Sequence, residues 1–325
     1  MTAMLPSDLR NILKKTSRSF YLSIAILPRS VRVPVAFAYL LARTADTIAD
    51  TELFPLAHRA SNLRKLQLKI NPAANDVIIE SIELPSGLAV ENHALSEYKL
   101  LRALPAISFN LTQLGSDDQK LVRQVVSTLI DGMLFDLEFF AGSQASRPGV
   151  LESTEQLERY LYSVAGCVGE FWTQLLRHHI CGLHDWPKLM DQVGMEFGKA
   201  LQLTNILRDL YKDREIGRVY LPLNASKPAH WMHAALGYFK SAEIYITSIP
   251  RRYVRLRLAA FWPAIIGLAT LALLASHANW QSDSRVHKVK RGTIYKILAL
   301  SIVTITSNTI TRAWLRRSMR RCELN

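Results

Sequence analysis

Apolar residues in this chain recur at intervals of three and four over long stretches, and no stretch shows the two-residue alternation of a strand around a hairpin turn. The helical period runs through Val33–Asp50, Asp118–Phe140, Leu157–Leu176, Gln192–Tyr211, His233–Ile249 and Leu256–Ala275, punctuated by prolines such as Pro72, Pro148, Pro187 and Pro222. With 49% hydrophobic residues among 325, such helices have enough apolar surface for a large core. The expectation is an all-α fold in a single domain over residues 1–325, its core at about 10–300 and a basic tail at about 311–325. Residues 72–95 are the most loop-like part.

Three cysteines at unrelated spacings, Cys167, Cys181 and Cys322, define neither a disulfide framework nor a zinc set. The first fifteen residues lack the apolar run of a secretory leader, so a reducing, cytoplasmic setting is expected.

The net charge of +13 is concentrated at one end. From Arg251 onward there are eleven Arg and three Lys against Asp283 and Glu323, a net of +12. That asymmetry calls for an anionic partner: nucleic acid, a phosphorylated ligand or an anionic membrane. No recognition-helix motif accompanies it, and a basic nucleic-acid-binding protein is the remote alternative. Leu258–Ala275 is long enough to cross a bilayer, but Pro263, Gly267 and the preceding RRYVRLR fit a buried core helix equally well. Ile294–Ile310 is interrupted by Lys296, Asn308 and several hydroxyl residues. No true membrane span is expected.

Two acidic stripes carry the chemistry. Asp46 and Asp50 stand four apart at the end of an apolar helix, on one face. Alone, such a pair is usually a solvated helix end. LQLTNILRDLYKD adds Asn205, Asp209 and Asp213 at the same spacing, again on a helix whose other sides are apolar. Unpaired carboxylates are costly there. Oxygen donors without Cys or His suit a hard cation such as Mg²⁺, which takes a few carboxylates together with substrate phosphates. Arg43, Arg208 and Arg218 lie nearby in sequence and are suited to phosphate, although each is individually more often a surface charge or a salt bridge. Tyr39 precedes Arg43 by one turn and either bonds a phosphate or packs.

SRSF (17–20), YLLARTADTIAD (39–50), YLYSVAGCVGEFW (160–172), LQLTNILRDLYKD (201–213), GRVYLP and FWPAIIGLATL occur in the order seen in the squalene/phytoene synthases, the head-to-head prenyl transferases, which the chain resembles over about residues 10 to 300. The resemblance implies an isoprenoid-synthase fold with two aspartate-rich motifs facing across a central cavity. It assigns Asp46, Asp50, Asn205, Asp209 and Asp213 to Mg²⁺. Arg18, Tyr39, Arg43, Gln202 and Arg218 match positions that contact the diphosphates or shape the site. The implied reaction joins two prenyl diphosphates through a cyclopropyl diphosphate, presqualene diphosphate for C15 substrates.

The product is a finer question. HKVKRG (287–292) resembles the basic loop that contacts NADPH in squalene synthases, with Lys288, Lys290 and Arg291 as the candidates, and squalene is the expected product. Ser163 and Ala259 depart from the tyrosine and phenylalanine of eukaryotic squalene synthases. Dehydrosqualene, phytoene and presqualene diphosphate are the alternatives. The tail TRAWLRRSMRRCELN suggests a peripheral protein on the inner face of an anionic membrane; a solvated helix end is the alternative. RHHICGLHDW is read as a surface histidine cluster, and Asp131, Asp136 and Glu138 are left outside the site.

Overall fold

Long helices need one buried face each, and the structure satisfies that need almost without strands. The computed structural model describes residues 5–17, 20–50, 54–71, 79, 95–222, 228–277, 280–281 and 287–323. Among them, extended structure is limited to β1 (Gly149–Val150) paired in parallel with β2 (Arg218–Val219), and one isolated bridge. The chain gathers into two compact units, Met1–Glu138 with Gln174–His179, and Phe139–Thr173 with Ile180–Asn325.

The first unit contains α1 (Ser7–Ser17), α2 (Phe20–Ala25), α3 (Arg29–Asp50), α4 (Leu56–Ile70), α5 (Leu95–Arg102), α6 (Leu104–Leu111) and nearly all of α7 (Ser116–Phe139). α3 packs against α4, α5 and α6. Most of α3 is buried, and the buried Thr44 hydroxyl is satisfied by the Leu40 carbonyl at 2.8 Å. What escapes burial along its second half is a single stripe: Tyr39, Ala42, Arg43, Asp46 and Asp50. Their spacing of three and four residues keeps them on one side of the helix.

In the second unit, α8 (Thr154–Leu161) runs through a π-helical turn (Tyr162–Gly166) into α9 (Cys167–His179), whose Gln174–His179 end belongs to the first unit. There follow α10 (Leu189–Glu215), α11 (Pro228–Ser248), α12 (Val254–Ala275), α13 (Arg291–Thr304) and α14 (Asn308–Glu323). α10 packs against α11, α12 and the π-turn. Its approach to the π-turn and α9 leaves no room for side chains. A Cβ on Gly169 would lie 1.9 Å from the Gly194 carbonyl oxygen, and one on Gly198 would lie 2.3 Å from that of Ala165. The GCVGE and VGMEFGKA glycines therefore let two backbones touch, which fixes the height and rotation of α10.

α12 passes the length and composition test for a membrane span, yet 61% of its most apolar window is buried. It serves as a core helix, consistent with its even apolarity. Its fully buried Arg257 donates to the Ile249 carbonyl at 2.7 Å, just beyond the end of α11. The basic tail forms α14, which packs on α12 and α11 and buries Thr311, Leu315, Met319 and Cys322. Arg316 makes a two-oxygen contact with the buried Glu243, at 2.8–3.0 Å.

The glycine contacts give a paired prediction. Gly169→Ala should lower stability by about 1–3 kcal/mol, because the backbones must separate. Gly237→Ala, on an exposed part of α11 with nothing within 4 Å of the new Cβ, should raise stability by about 0.5–1 kcal/mol. Thermal and urea unfolding of the two variants should move in opposite directions; equal shifts would mean α10 is not seated on that backbone contact.

Candidate active site

The first acidic motif lies on the open stripe of α3. Arg43 ion-pairs with Asp46 through Nη1 and donates from Nη2 to Glu97 Oε1 at 2.8 Å. Glu97 sits on α5, just after the loop-like segment, and no sequence motif marks it. Removal from water raises the Asp46 pKa; Arg43 opposes that shift, and the Asp50 carboxylate one turn further on reinforces it. The two carboxylates thus share a face and repel, as the four-residue spacing anticipates. Asp50 is exposed at the helix end. Tyr39 donates to the Thr16 carbonyl at 3.0 Å, which fixes its hydroxyl between α3 and α1.

The second motif lies on α10. Val193, Phe197, Ala200, Leu203 and Leu207 are buried on one side, while Gln202, Asn205, Asp209 and Asp213 occupy the more open side. Arg208 gathers two of these groups: Nη1 donates to Asn205 Oδ1 and Nε to Asp209 Oδ1, each at 3.0 Å. Asn205 in turn donates to Gln202 Oε1 at 3.4 Å. One cation therefore already reaches oxygens of two of the three predicted ligands. The donor set is all oxygen, and this convergence fits a hard divalent ion. Arg218 follows α10 in β2, where Gly149 donates to the Gly217 carbonyl at 2.9 Å and Leu151 to that of Val219 at 3.0 Å. Tyr220, two residues on, stacks on Tyr160 at 4.9 Å.

Buried polar contacts hold α10 in place. Lys199 bonds Glu158 at 2.7 Å, Tyr238 donates to the same carboxylate, and Ser241 donates to Glu196. In the π-turn, Tyr162 donates to Glu170 at 3.0 Å; its burial and that carboxylate push the phenol up to about 12. Burial likewise pushes Cys167 up to about 12, which makes it a packing residue rather than a nucleophile. Ser163 bonds back to the Arg159 carbonyl at 3.0 Å, and Ala259 is buried in α12.

Arg18 lies outside the described residues. Lys288, Lys290 and Arg291 are exposed where the chain enters α13 and pair with no carboxylate among the described residues, a setting that fits phosphate groups. The histidine reading needs correcting: His179 is tied to the buried Asp118 at 2.7 Å, with His178 edge-on to its ring, so only His178 and His184 are exposed. Glu138 pairs with Arg64, and Asp131 accepts from Gln67.

The family model described as squalene/phytoene synthase matches residues 13–230, two thirds of the sequence and inclusive of both acidic motifs. The chain belongs to that family. It is 33% identical over 212 residues to a bifunctional lycopene cyclase/phytoene synthase of Colletotrichum graminicola, covering 65% of this chain and 33% of that protein. It is 27% identical over 212 residues to the squalene synthase ERG9 of Gibberella zeae, covering 65% and 42%. The matches thus span between a third and a half of those relatives. Among solved structures, TcSQS bound to BPH1237 superposes with a TM-score of 0.72 at 21% identity, over 98% of this chain and 92% of that one. A dehydrosqualene synthase complex gives 0.61 at 23% identity, over 90% and 93%. At these identities the two structures establish the fold.

The raised Asp46 pKa has a signed consequence. The folded state holds that proton more tightly than the unfolded chain, so ionised Asp46 destabilises the metal-free protein above the folded pKa. Asp46→Asn should then melt higher than wild type at neutral pH. The gap should narrow as pH falls through the folded pKa and close below the unfolded value. Melting curves of both proteins in EDTA across that range test it; a wild type that melts higher at neutral pH would show that the Arg43 pairing outweighs burial and repulsion.

Proposed function

We propose that the chain is a Mg²⁺-dependent head-to-head prenyltransferase that condenses two prenyl diphosphates. The observation that carries this reading is the convergence of acidic-motif oxygens on single cations, Asp46 on Arg43 and Asn205 with Asp209 on Arg208, along helices whose other faces are buried. Family membership supports it. In this reading Asp46, Asp50, Asn205, Asp209 and Asp213 hold the metal ions, and the two motifs serve one reaction. When bound, Mg²⁺ neutralises diphosphate charge and eases departure of the leaving group.

The chain's own groups supply the rest. Arg43, Arg208 and Arg218 offer forked donors to diphosphate oxygens, as Arg18 does by family position. Gln202 steadies the Asn205 amide, and Tyr39 keeps Arg43 in register by anchoring its turn of α3 to Thr16. In the first half-reaction the C1–O bond of one substrate breaks and diphosphate leaves. The double bond of the second substrate attacks that carbon, and proton loss closes a cyclopropane. Apolar walls must exclude water, which would trap the cations as alcohols.

For the second half-reaction we favour squalene from two C15 substrates, with Lys288, Lys290 and Arg291 holding the phosphates of NADPH. Their exposure without carboxylate partners among the described residues supports this choice. NADPH held there would supply the hydride that quenches the last carbocation. The phytoene synthase relatives favour a second reading, in which proton loss ends the reaction and no reductant is used.

Asp46→Asn and Asp209→Asn should each reduce turnover of farnesyl diphosphate by at least about 10³-fold, by analogy with loss of a principal electrostatic group, with helical content retained. Near-normal activity in either folded variant would refute the site. Product analysis separates the two readings: squalene that requires NADPH supports the first, and an NADPH-indifferent dehydrosqualene or C40 product supports the second.

A further inference from the structure

Among the described residues, twelve large hydrophobic side chains are exposed, and five of them fall within residues 295–310. Four belong to α13: Val303 at 79% exposure, Tyr295 at 65%, Leu300 at 60% and Ile302 at 57%. Only Ile297 and Ser301 of this helix are buried, with Ser301 accepting from the Trp262 indole at 2.9 Å. At 100° per residue, Ile302, Tyr295, Ala299 and Val303 follow one another around the side opposite that seam, and Leu300 borders it. A helix that turns its apolar side outward usually has a partner.

The surrounding charge selects which kind. Between His287 and Cys322 there are nine Lys or Arg and no Asp or Glu. Arg316 is bonded to Glu243, and Arg312 approaches the same carboxylate at 4.0 Å. Lys296 rises from the outward side of α13 itself, flanked by Tyr295. An apolar ridge with cations and no acid is a poor match for a second copy of the same basic segment, which it would repel. It matches a bilayer whose headgroups are anionic and whose acyl boundary accepts the apolar side chains.

We propose that α13 is a membrane-docking helix, which lies in the plane of an anionic phospholipid surface with Tyr295, Leu300, Ile302 and Val303 inserted at the acyl boundary. Cations attract the protein to the surface and the ridge retains it. This places the seat of membrane contact on α13 rather than on α14, whose apolar side is used against α11 and α12. The inference does not depend on which product the enzyme makes, and its readout is binding rather than turnover.

The test is co-sedimentation of the full chain with vesicles of phosphatidylcholine alone and of equimolar phosphatidylcholine and phosphatidylglycerol. Wild type should bind the anionic vesicles, more weakly as salt rises, and bind phosphatidylcholine poorly. Leu300→Ser/Val303→Ser, exposed substitutions checked by circular dichroism and melting temperature, should weaken binding by at least about tenfold. Lys296→Gln should weaken it on the order of fivefold, and on anionic vesicles only. Wild type that ignores anionic vesicles, or a folded double variant that binds as wild type does, overturns the proposal. So does a dimer in solution that the double variant dissociates while vesicles leave wild type unbound, because a second copy then covers the ridge.

Discussion

A carboxylate on a helix that is otherwise buried must meet a cation or a hydrogen-bond donor, and Asp46 on α3 and Asp209 on α10 each meet a guanidinium. On α3 the price is visible as the raised pKa of Asp46, which Arg43 only partly offsets. On α10 a guanidinium gathers Asn205 and Asp209. In the proposed function Mg²⁺ takes over these oxygens and leaves the arginines for the diphosphate. The complement of both polar stripes in the proposed function is a metal together with diphosphate.

Rigid seating makes such stripes useful. The backbone contact of Gly169 with Gly194, the Glu158–Lys199 pair and the Glu196–Ser241 bond fix α10 from three directions. Asn205, Asp209 and Asp213, the ligands of the proposed metal, then keep their one-turn spacing. The C-terminal quarter shows a different use of charge. Arg316 staples α14 to Glu243, and Arg257 closes the end of α11. The remaining cations stay available at the surface beside an outward-turned apolar helix.

Much of this was legible from residues alone. The three-and-four period located α3, α7, α10, α11 and α12 to within a few residues, because each has a broad apolar face. The same period carried Asp46 with Asp50, and Asn205 with Asp209, onto common faces. It read residues 157–176 as one helix, whereas the chain passes through a π-turn at Tyr162–Gly166; one extra residue per turn leaves no mark on apolar spacing. The β1–β2 pair is too short for alternation to register. Glu97 as the second partner of Arg43, and Asp118 as that of His179, are contacts across 54 and 61 residues, which no local pattern encodes. The tail read as strongly basic, but only packing shows that Arg316, with Arg312 beside it, is engaged by Glu243 and that α13 rather than α14 leaves its apolar side uncovered.

The proposed function requires each acidic motif to act through Mg²⁺ on prenyl diphosphate. Isothermal titration with a farnesyl thiodiphosphate that cannot ionise tests it without chemistry. The account predicts saturable binding in Mg²⁺, none in EDTA, and loss in Asp50→Asn as well as in Asp213→Asn. Equal affinity with and without Mg²⁺, or full affinity in either variant, would contradict it.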